Sequence, residues 1–314
     1  MSNTGPVLVT GAGGAIGAWV IAALMGRGID CVAFDLSDDR RRLRLIMDEA
    51  RVAGVRWVTG NIAESAAVEA TVAAHKPSAI IHLAALQVPF VKADPVLGAQ
   101  VNVVGTANVF EAARRHGVRR LVYASSVAAF TDPRTGFPNT LYGVYKLADE
   151  GIGRIYADDW DVPNIGIRPH TVYGPTRDQG MTSAPTKAIL AAVAGRSYEI
   201  PFTGPVSFQY VGEVAEIFVR CAQAEIAAKD SRVFDIATPP VTVEAIIDEI
   251  KRQVPDARIT AKGQPIPLPS RFDATALKAL VGAWPETSLA EGVRRTMDAF
   301  KDLLARGLVS PEAA

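Results

Sequence analysis

Tyr142 and Lys146 stand four residues apart in Leu141-Tyr142-Gly143-Val144-Tyr145-Lys146, a spacing that puts both side chains on one face of a helix. A lysine cation beside a phenol lowers the phenol's pKa, and a phenolate so poised can take the proton of an alcohol. By itself the spacing is a common accident, shared by any surface tyrosine followed by a solvated lysine. Ser125 and Ser126 change the odds, because they end the apolar run Leu121-Val122-Tyr123, where ligands of open α/β sheets bind. A hydroxyl there can hydrogen-bond a substrate oxygen while the tyrosine moves its proton and hydride leaves for a nicotinamide.

Such chemistry requires a dinucleotide site, and the stretch Thr10-Gly11-Ala12-Gly13-Gly14-Ala15-Ile16-Gly17 offers one. It follows the apolar run Pro6-Val7-Leu8-Val9 and opens the helical pattern Ala18 to Arg27. Gly11 permits a tight turn, Gly14 lets the backbone approach a pyrophosphate, and Gly17 lets the helix pack closely on its strand. The pyrophosphate would sit on free N–H groups at the positive end of the helix. A second apolar run, Cys31-Val32-Ala33-Phe34, ends in Asp35, an acid about 20 residues on, as this kind of site requires. Asp35 is expected to accept the adenosine ribose hydroxyls and to repel the 2′-phosphate of NADP, so the cofactor read here is NAD.

The elements that position these residues form a regular series. Apolar runs at Val7–Thr10, Cys31–Phe34, Val55–Val58, Ala79–Leu83, Arg120–Ala124 and Asn164–Ile167 are separated by stretches of helical periodicity. Strands apolar on both faces and alternating with helices predict a parallel sheet covered on both sides, an α/β doubly wound Rossmann-type fold. After about Gly174 prolines 175, 185, 201 and 205 interrupt the alternation. Residues 1–174 are therefore expected to form the NAD-binding domain. Residues 175–314 are expected to be mainly a smaller substrate-binding lobe, with Val233–Ile236 returning to the main sheet.

Composition narrows the class. With 49% hydrophobic residues among 314 the chain can bury a real core. Its 33 basic and 33 acidic residues cancel, so no global field favours nucleic acid or an anionic membrane. The densest charge run, Asp38-Asp39-Arg40-Arg41-Arg42, reads as a solvated helix start. Four scattered histidines have no metal-ligand spacing. Cys31 and Cys221 stand far apart, and no secretory leader precedes Pro6, which points to a reducing cytoplasm. No apolar run approaches the length of a membrane span.

Several motifs together make the chain resemble the extended short-chain dehydrogenase/reductase family, in its NAD-dependent epimerase/dehydratase group. Thr10 to Gly17 matches the family's T-G-x-x-G-x-x-G, His82-Leu83-Ala84-Ala85 its H-x-A-A strand end, and Asn102 to Asn108 its N-x-x-G-T-x-N helix. The resemblance implies that Tyr142 is the catalytic base, that Lys146 binds the nicotinamide ribose and tunes the tyrosine, and that a serine polarises the substrate oxygen. The resemblance also favours Ser126 over Ser125, because it lies four residues before Phe130, as the family's active hydroxyl precedes an aromatic by four. The cofactor residues expected are Gly11, Gly13, Gly14, Ala15, Ile16, Gly17, Asp35, Asn61, Ile62, Leu83, Ala84, Ala85, Asn102, Tyr142, Lys146 and His170. Where the family often has Asp, this chain has Asn61. His82 is expected to be a packed strand-end residue. Helices over Asp94–His116 and Leu141–Trp160 resemble those through which the family dimerises, with Val96, Val103, Val104, Ile152 and Ile155 as candidate interface residues.

The departures from the family pattern bear on the reaction. Dehydratases of the family carry an acid pair after the active hydroxyl, where this chain has Val127 and Ala128. Nucleotide-sugar epimerases hold a diphosphate through an Asn and an Arg, where this chain has Thr171 and Val206 or Ser207. Arg177, Lys187 or Arg271 could replace those donors. The polar segment Thr176 to Lys187 is rich in hydroxyl, amide and guanidinium groups, which suits a polyhydroxylated or acidic substrate. Ser125, Ser126, Thr171, Arg177, Gln179 and Lys187 are the expected substrate residues. The leading reading is NAD-dependent oxidation of a secondary alcohol of a sugar, sugar acid or similar small polar molecule. The alternative is a nucleotide-sugar 4-epimerase that retains its NAD.

Overall fold

Seven parallel strands form one sheet: β1 (Val7–Thr10), β2 (Cys31–Asp35), β3 (Arg56–Thr59), β4 (Ala79–His82), β5 (Leu121–Ala124), β6 (Asn164–Arg168) and β7 (Ser231–Asp235). Their spatial order in this computed structural model, which describes residues 5–266 and 273–313, is β7-β6-β5-β4-β1-β2-β3. The winding direction reverses between β1 and β4, the place where an open α/β sheet leaves a crevice at its carboxyl edge. Strand ends differ from the sequence reading by a residue or two, and β2 extends to include Asp35. The returning strand is present as β7, paired in parallel with β6.

Alternate residues of each strand enter different cores, as the period of two requires. Val9, Ala33 and Ile81 pack on one face with α1 (Ala15–Gly26) and a later helix, Val211–Gln223. Leu8, Val32, Phe34 and Ile80 pack on the other with α2 (Ser65–His75) and α3 (Gly105–His116). Burial on both faces is why these strands read as unbroken apolar runs.

The helix expected over Asp94–His116 is divided. A short turn at Pro95–Ala99 passes into a π-helical turn, Gln100–Val104, before α3 begins. Asn102, buried in that turn, accepts from the Leu86 N–H and donates to the Leu86 carbonyl. By contrast α4 (Leu141–Trp160) has the boundaries expected of it, and the Thr140 side chain caps it by accepting from the Gly143 N–H.

Beyond Gly174 a further core gathers α5 (Ala184–Val193), α6 (Val243–Gln253) and α7 (Leu289–Ala305) with short strand pairs. One of those pairs, Thr171–Tyr173 with Phe208–Tyr210, lies directly after β6. Trp19 of α1 packs edge-on against Tyr210 and donates to the Pro175 carbonyl, joining this core to the main sheet.

Candidate active site

A cleft of about 1080 Å³ opens along the carboxyl edge of the sheet. Gly11, Gly13, Gly14, Ala15, Ile16 and Gly17 form its floor, and Asp35, Asn61, Ile62, Leu83, Ala84 and Ala85 continue the same wall. A Cβ on Gly17 would stand 2.2 Å from the Gly11 carbonyl oxygen, and one on Gly11 would stand 2.6 Å from the Ala84 nitrogen. Gly11 also has φ of +67°, so the loop closes on itself only with glycine at both places. No side chain caps the first turn of α1, so its amides face the cleft. A second hollow of about 460 Å³, lined by Ala73, Lys76, Pro77, His116 and Val118, lies at the opposite edge of the sheet, away from these groups.

Asp35 accepts from the Gly13 N–H at 2.8 Å and from the Leu36 N–H at 2.7 Å. Burial raises its carboxyl above the ordinary aspartate value, and these two backbone bonds oppose the shift. The neighbouring arginines have other partners. Arg40 stacks over Trp57 and donates to the Val52 carbonyl, and Arg41 pairs with Asp39. Arg42 corrects the reading of this run as a solvated helix start. Its guanidinium donates to the Gly13 carbonyl, the Thr176 carbonyl and Asp178, clamping the glycine loop to the 176–178 turn. None of the three is free to face a 2′-phosphate, which suits NAD.

Ser125, Ser126, Tyr142 and Lys146 line the same cleft. The Ser125 hydroxyl donates to Glu150, which also takes two bonds from Arg168 at 2.7 and 2.6 Å. Ser125 is thereby committed. Ser126 accepts from the Ala128 N–H at 3.1 Å, leaving its own proton available to a substrate oxygen. Lys146, 2% exposed, donates to the Ala124 carbonyl at 2.8 Å and to Asp149 at 3.1 Å, and its ammonium lies 6.0 Å from the centre of the Tyr142 ring. Burial disfavours the ammonium, but Asp149, Tyr142 and Glu150 together outweigh that and hold Lys146 charged. The sequence reading missed Asp149, although its three-residue spacing from Lys146 on one helix was a usable signal.

His82 is a strand-end residue, fully buried, with Thr10 Oγ1 at 2.7 Å from Nδ1 and Thr106 Oγ1 at 3.1 Å from Nε2. Thr106 donates its proton to the Asn102 carbonyl, so it accepts from Nε2–H, and Nδ1 accepts from Thr10. Burial, with Lys146 nearby, pushes His82 down to about 3, so it is neutral. The chain Thr10–His82–Thr106 ties β1, β4 and α3 behind the cofactor wall. Asn102 is not in that wall. It acts from behind, holding the Leu86 backbone as the π-helical turn dictates.

On the other wall lie His170, Thr171, Arg177, Gln179 and Thr182, joined by Gln87 and Asp132. Burial pushes His170 down to about 4. Lys187 is not part of the cleft lining, since it sits on α5, past the cleft-lining residues of the 177–182 segment. Arg271 lies outside the described residues. Arg177 closes a turn by donating its N–H to the Gly174 carbonyl at 3.1 Å, with Pro175 second and Thr176 third. Thr176 has φ of +84°, in the position glycine ordinarily fills in a type II turn. A β-branched residue held there costs about 1–3 kcal/mol, offset by the bond from Thr176 Oγ1 to the Ala15 carbonyl and by Arg42. Among the described residues no cluster of three or more His, Cys, Asp or Glu could hold a metal ion.

The model of the NAD-dependent epimerase/dehydratase family matches residues 7–237, which span the glycine floor, the Ser-Tyr-Lys edge and β7. The chain belongs to that family. A UDP-glucose 4-epimerase of Mycolicibacterium smegmatis is 30% identical to this family member over 319 residues, covering 94% of this chain and 98% of its own. Among solved structures, a Thermus thermophilus UDP-glucose 4-epimerase in complex with NAD is 24% identical, with a TM-score of 0.78 over 94% of this chain and 99% of that one. An L-threonine dehydrogenase from Clostridium difficile is 19% identical, with a TM-score of 0.82 over 97% and 99%. This epimerase/dehydratase-family enzyme is therefore an NAD-dependent protein of the extended short-chain dehydrogenase/reductase type. Among the described residues no helix is long and apolar enough to cross a membrane.

Proposed function

We propose that this enzyme oxidises a secondary alcohol of a sugar, sugar acid or similar small polar molecule at a Ser126-Tyr142-Lys146 site. The observation that carries the reading is the division of labour at the end of β5: Ser125 is bound to Glu150, whereas Ser126 keeps a free proton beside Tyr142 and the buried Lys146. Bound NAD would supply the hydride acceptor. Ser126 orients the reacting hydroxyl by donating to its oxygen. Tyr142 takes the hydroxyl proton, and Lys146, kept charged chiefly by Asp149, stabilises the phenolate that does so. The part of the chain after residue 174 serves as the substrate side through its 176–182 loop.

A second reading is favoured by one finding, the 30% identity to a UDP-glucose 4-epimerase along nearly the whole chain. Against it, Thr171 and Val206 stand where a diphosphate would be held, and Val206 is fully buried. Calorimetry of the NAD-loaded enzyme with UDP and with UDP-glucose separates the two. Binding weaker than about 1 mM agrees with a small substrate, and micromolar binding would make the epimerase the better account.

The functional unit proposed is a homodimer. Val96, Val104 and Ile155 are exposed on the helices over 95–116 and on α4, together with Leu141, Val144 and Leu147, whereas Val103 and Ile152 are half-buried within the subunit. An apolar stripe shared by two adjacent helices suits a four-helix interface. Light scattering at micromolar concentration should give twice the chain mass, and a monomer mass would refute the dimer.

A further inference from the structure

We propose that Arg177 is a carboxylate-binding residue and that the substrate is a small hydroxy acid, an assignment that rests on the oxidation reading above. Arg177 is a cation in the cleft wall that forms no ion pair among the described residues. Among those residues its one side-chain bond runs from Nη2 to Thr182 Oγ1 at 3.0 Å, and its Nε is buried with no acceptor. Asp178, the adjacent carboxylate, is taken by Arg42. Burial pulls the Arg177 guanidinium below the ordinary arginine value, and Tyr142 is among the groups whose charge it feels. The positive-φ turn at Thr176 is what brings the arginine to this wall.

A buried donor is normally matched, and a guanidinium matches a carboxylate through two parallel bonds. A neutral hydroxyl would satisfy one N–H and leave the charge uncompensated. Gln87 packs beside Arg177. Its Oε1 is buried with no donor, and a Cβ on Gly180 would stand 1.9 Å from that oxygen and 3.5 Å from Arg177 Nη2. Gly180, where φ is +86°, has no Cβ because Gln87 Oε1 takes that place, so the Gln87 amide packs close to the guanidinium. A carboxylate on Arg177 together with the hydroxyl that Tyr142 deprotonates describes a hydroxy acid. With Arg177 and Tyr142 lining one cleft and interacting electrostatically, a carboxylate near the reacting carbon is favoured over the diphosphate of a nucleotide sugar, which lies several bonds from the carbon that is oxidised.

The test is calorimetric binding to the full-length enzyme loaded with NADH, using acid and neutral partners of one skeleton, galacturonate with galactose and glycerate with glycerol, together with UDP-glucose. At least one acid should bind about 10- to 100-fold more tightly than its neutral partner. Arg177→Gln should abolish that difference with NADH affinity unchanged, and Arg177→Lys should restore part of it. An acid preference that survives Arg177→Gln, no preference for either acid, or a larger Arg177 dependence for UDP-glucose than for the acids would each overturn the assignment. Failure of the oxidation reading looks different: acids would bind through Arg177 while no substrate yields NADH. Conversely, NADH from neutral alcohols, undisturbed by Arg177→Gln, would remove the carboxylate site and leave the oxidation.

Discussion

The two walls of the cleft are built from different materials. The cofactor wall is mainly backbone: glycine carbonyls and amides, the first turn of α1, and the Leu83–Leu86 segment held by Asn102. The substrate wall is mainly side chain, with Gln87, Thr171, Arg177 and Thr182 drawn from separate elements. A backbone surface admits few sequences, because a Cβ at Gly17 or Gly11 would collide with main-chain atoms. A side-chain surface can be rewritten residue by residue while the fold stays unchanged. A UDP-glucose 4-epimerase and an L-threonine dehydrogenase both have this fold, so the fold by itself does not fix the substrate.

If the walls are separable, changes on each should leave the other's readout alone. The largest effect is expected at the boundary, where Tyr142→Phe should lower turnover by about 10²–10⁴-fold with NAD affinity retained. Near-normal turnover would remove Tyr142 from the chemistry. Within the cofactor wall, Gly17→Ala should cost about 1–3 kcal/mol of stability, read by denaturant unfolding, and should weaken NAD binding severely. An unaffected NAD affinity would show that the loop is less constrained than its contacts imply.

Acid should act through the same wall. His82 is held neutral at about 3 in the fold and titrates near 6.5 when unfolded, so the unfolded chain takes up the extra proton as pH falls below 6.5. Its contribution is absent above that pH and destabilising below it, about 2 kcal/mol by pH 5. His82→Asn should flatten the dependence of unfolding free energy on pH between 5 and 6.5 by about one proton. An unchanged slope would mean that the imidazole is protonated in place. The smallest change is expected from Asp35→Ala, about tenfold weaker NAD binding and a reduced preference over NADP, checked by titrating both cofactors.

What the sequence revealed follows the same division. The sheet, the glycine floor, Asp35 and the Tyr142–Lys146 helix face were legible because each depends on local spacing or on a conformation that few residues permit. The π-helical turn at Gln100–Val104 was not, since the residues around it form good helix and only the bond from Asn102 to Leu86 sets the break. Nor was the clamp made by Arg42, which joins residues 29 and more than 130 positions away and looks from the sequence like a surface charge. Gln87 and Thr176 carried no motif. Their roles depend on Gly180 and Ala15, far off in the chain.

Net oxidation at the Ser126-Tyr142-Lys146 site is tested most directly by cofactor accounting. The enzyme would be incubated with NAD and a panel of sugars, sugar acids and UDP-sugars, and NADH and epimeric product measured together. The account predicts one NADH for each molecule of a small hydroxylated substrate consumed, with UDP-sugars unchanged. Interconversion of UDP-glucose and UDP-galactose without accumulation of NADH would contradict it.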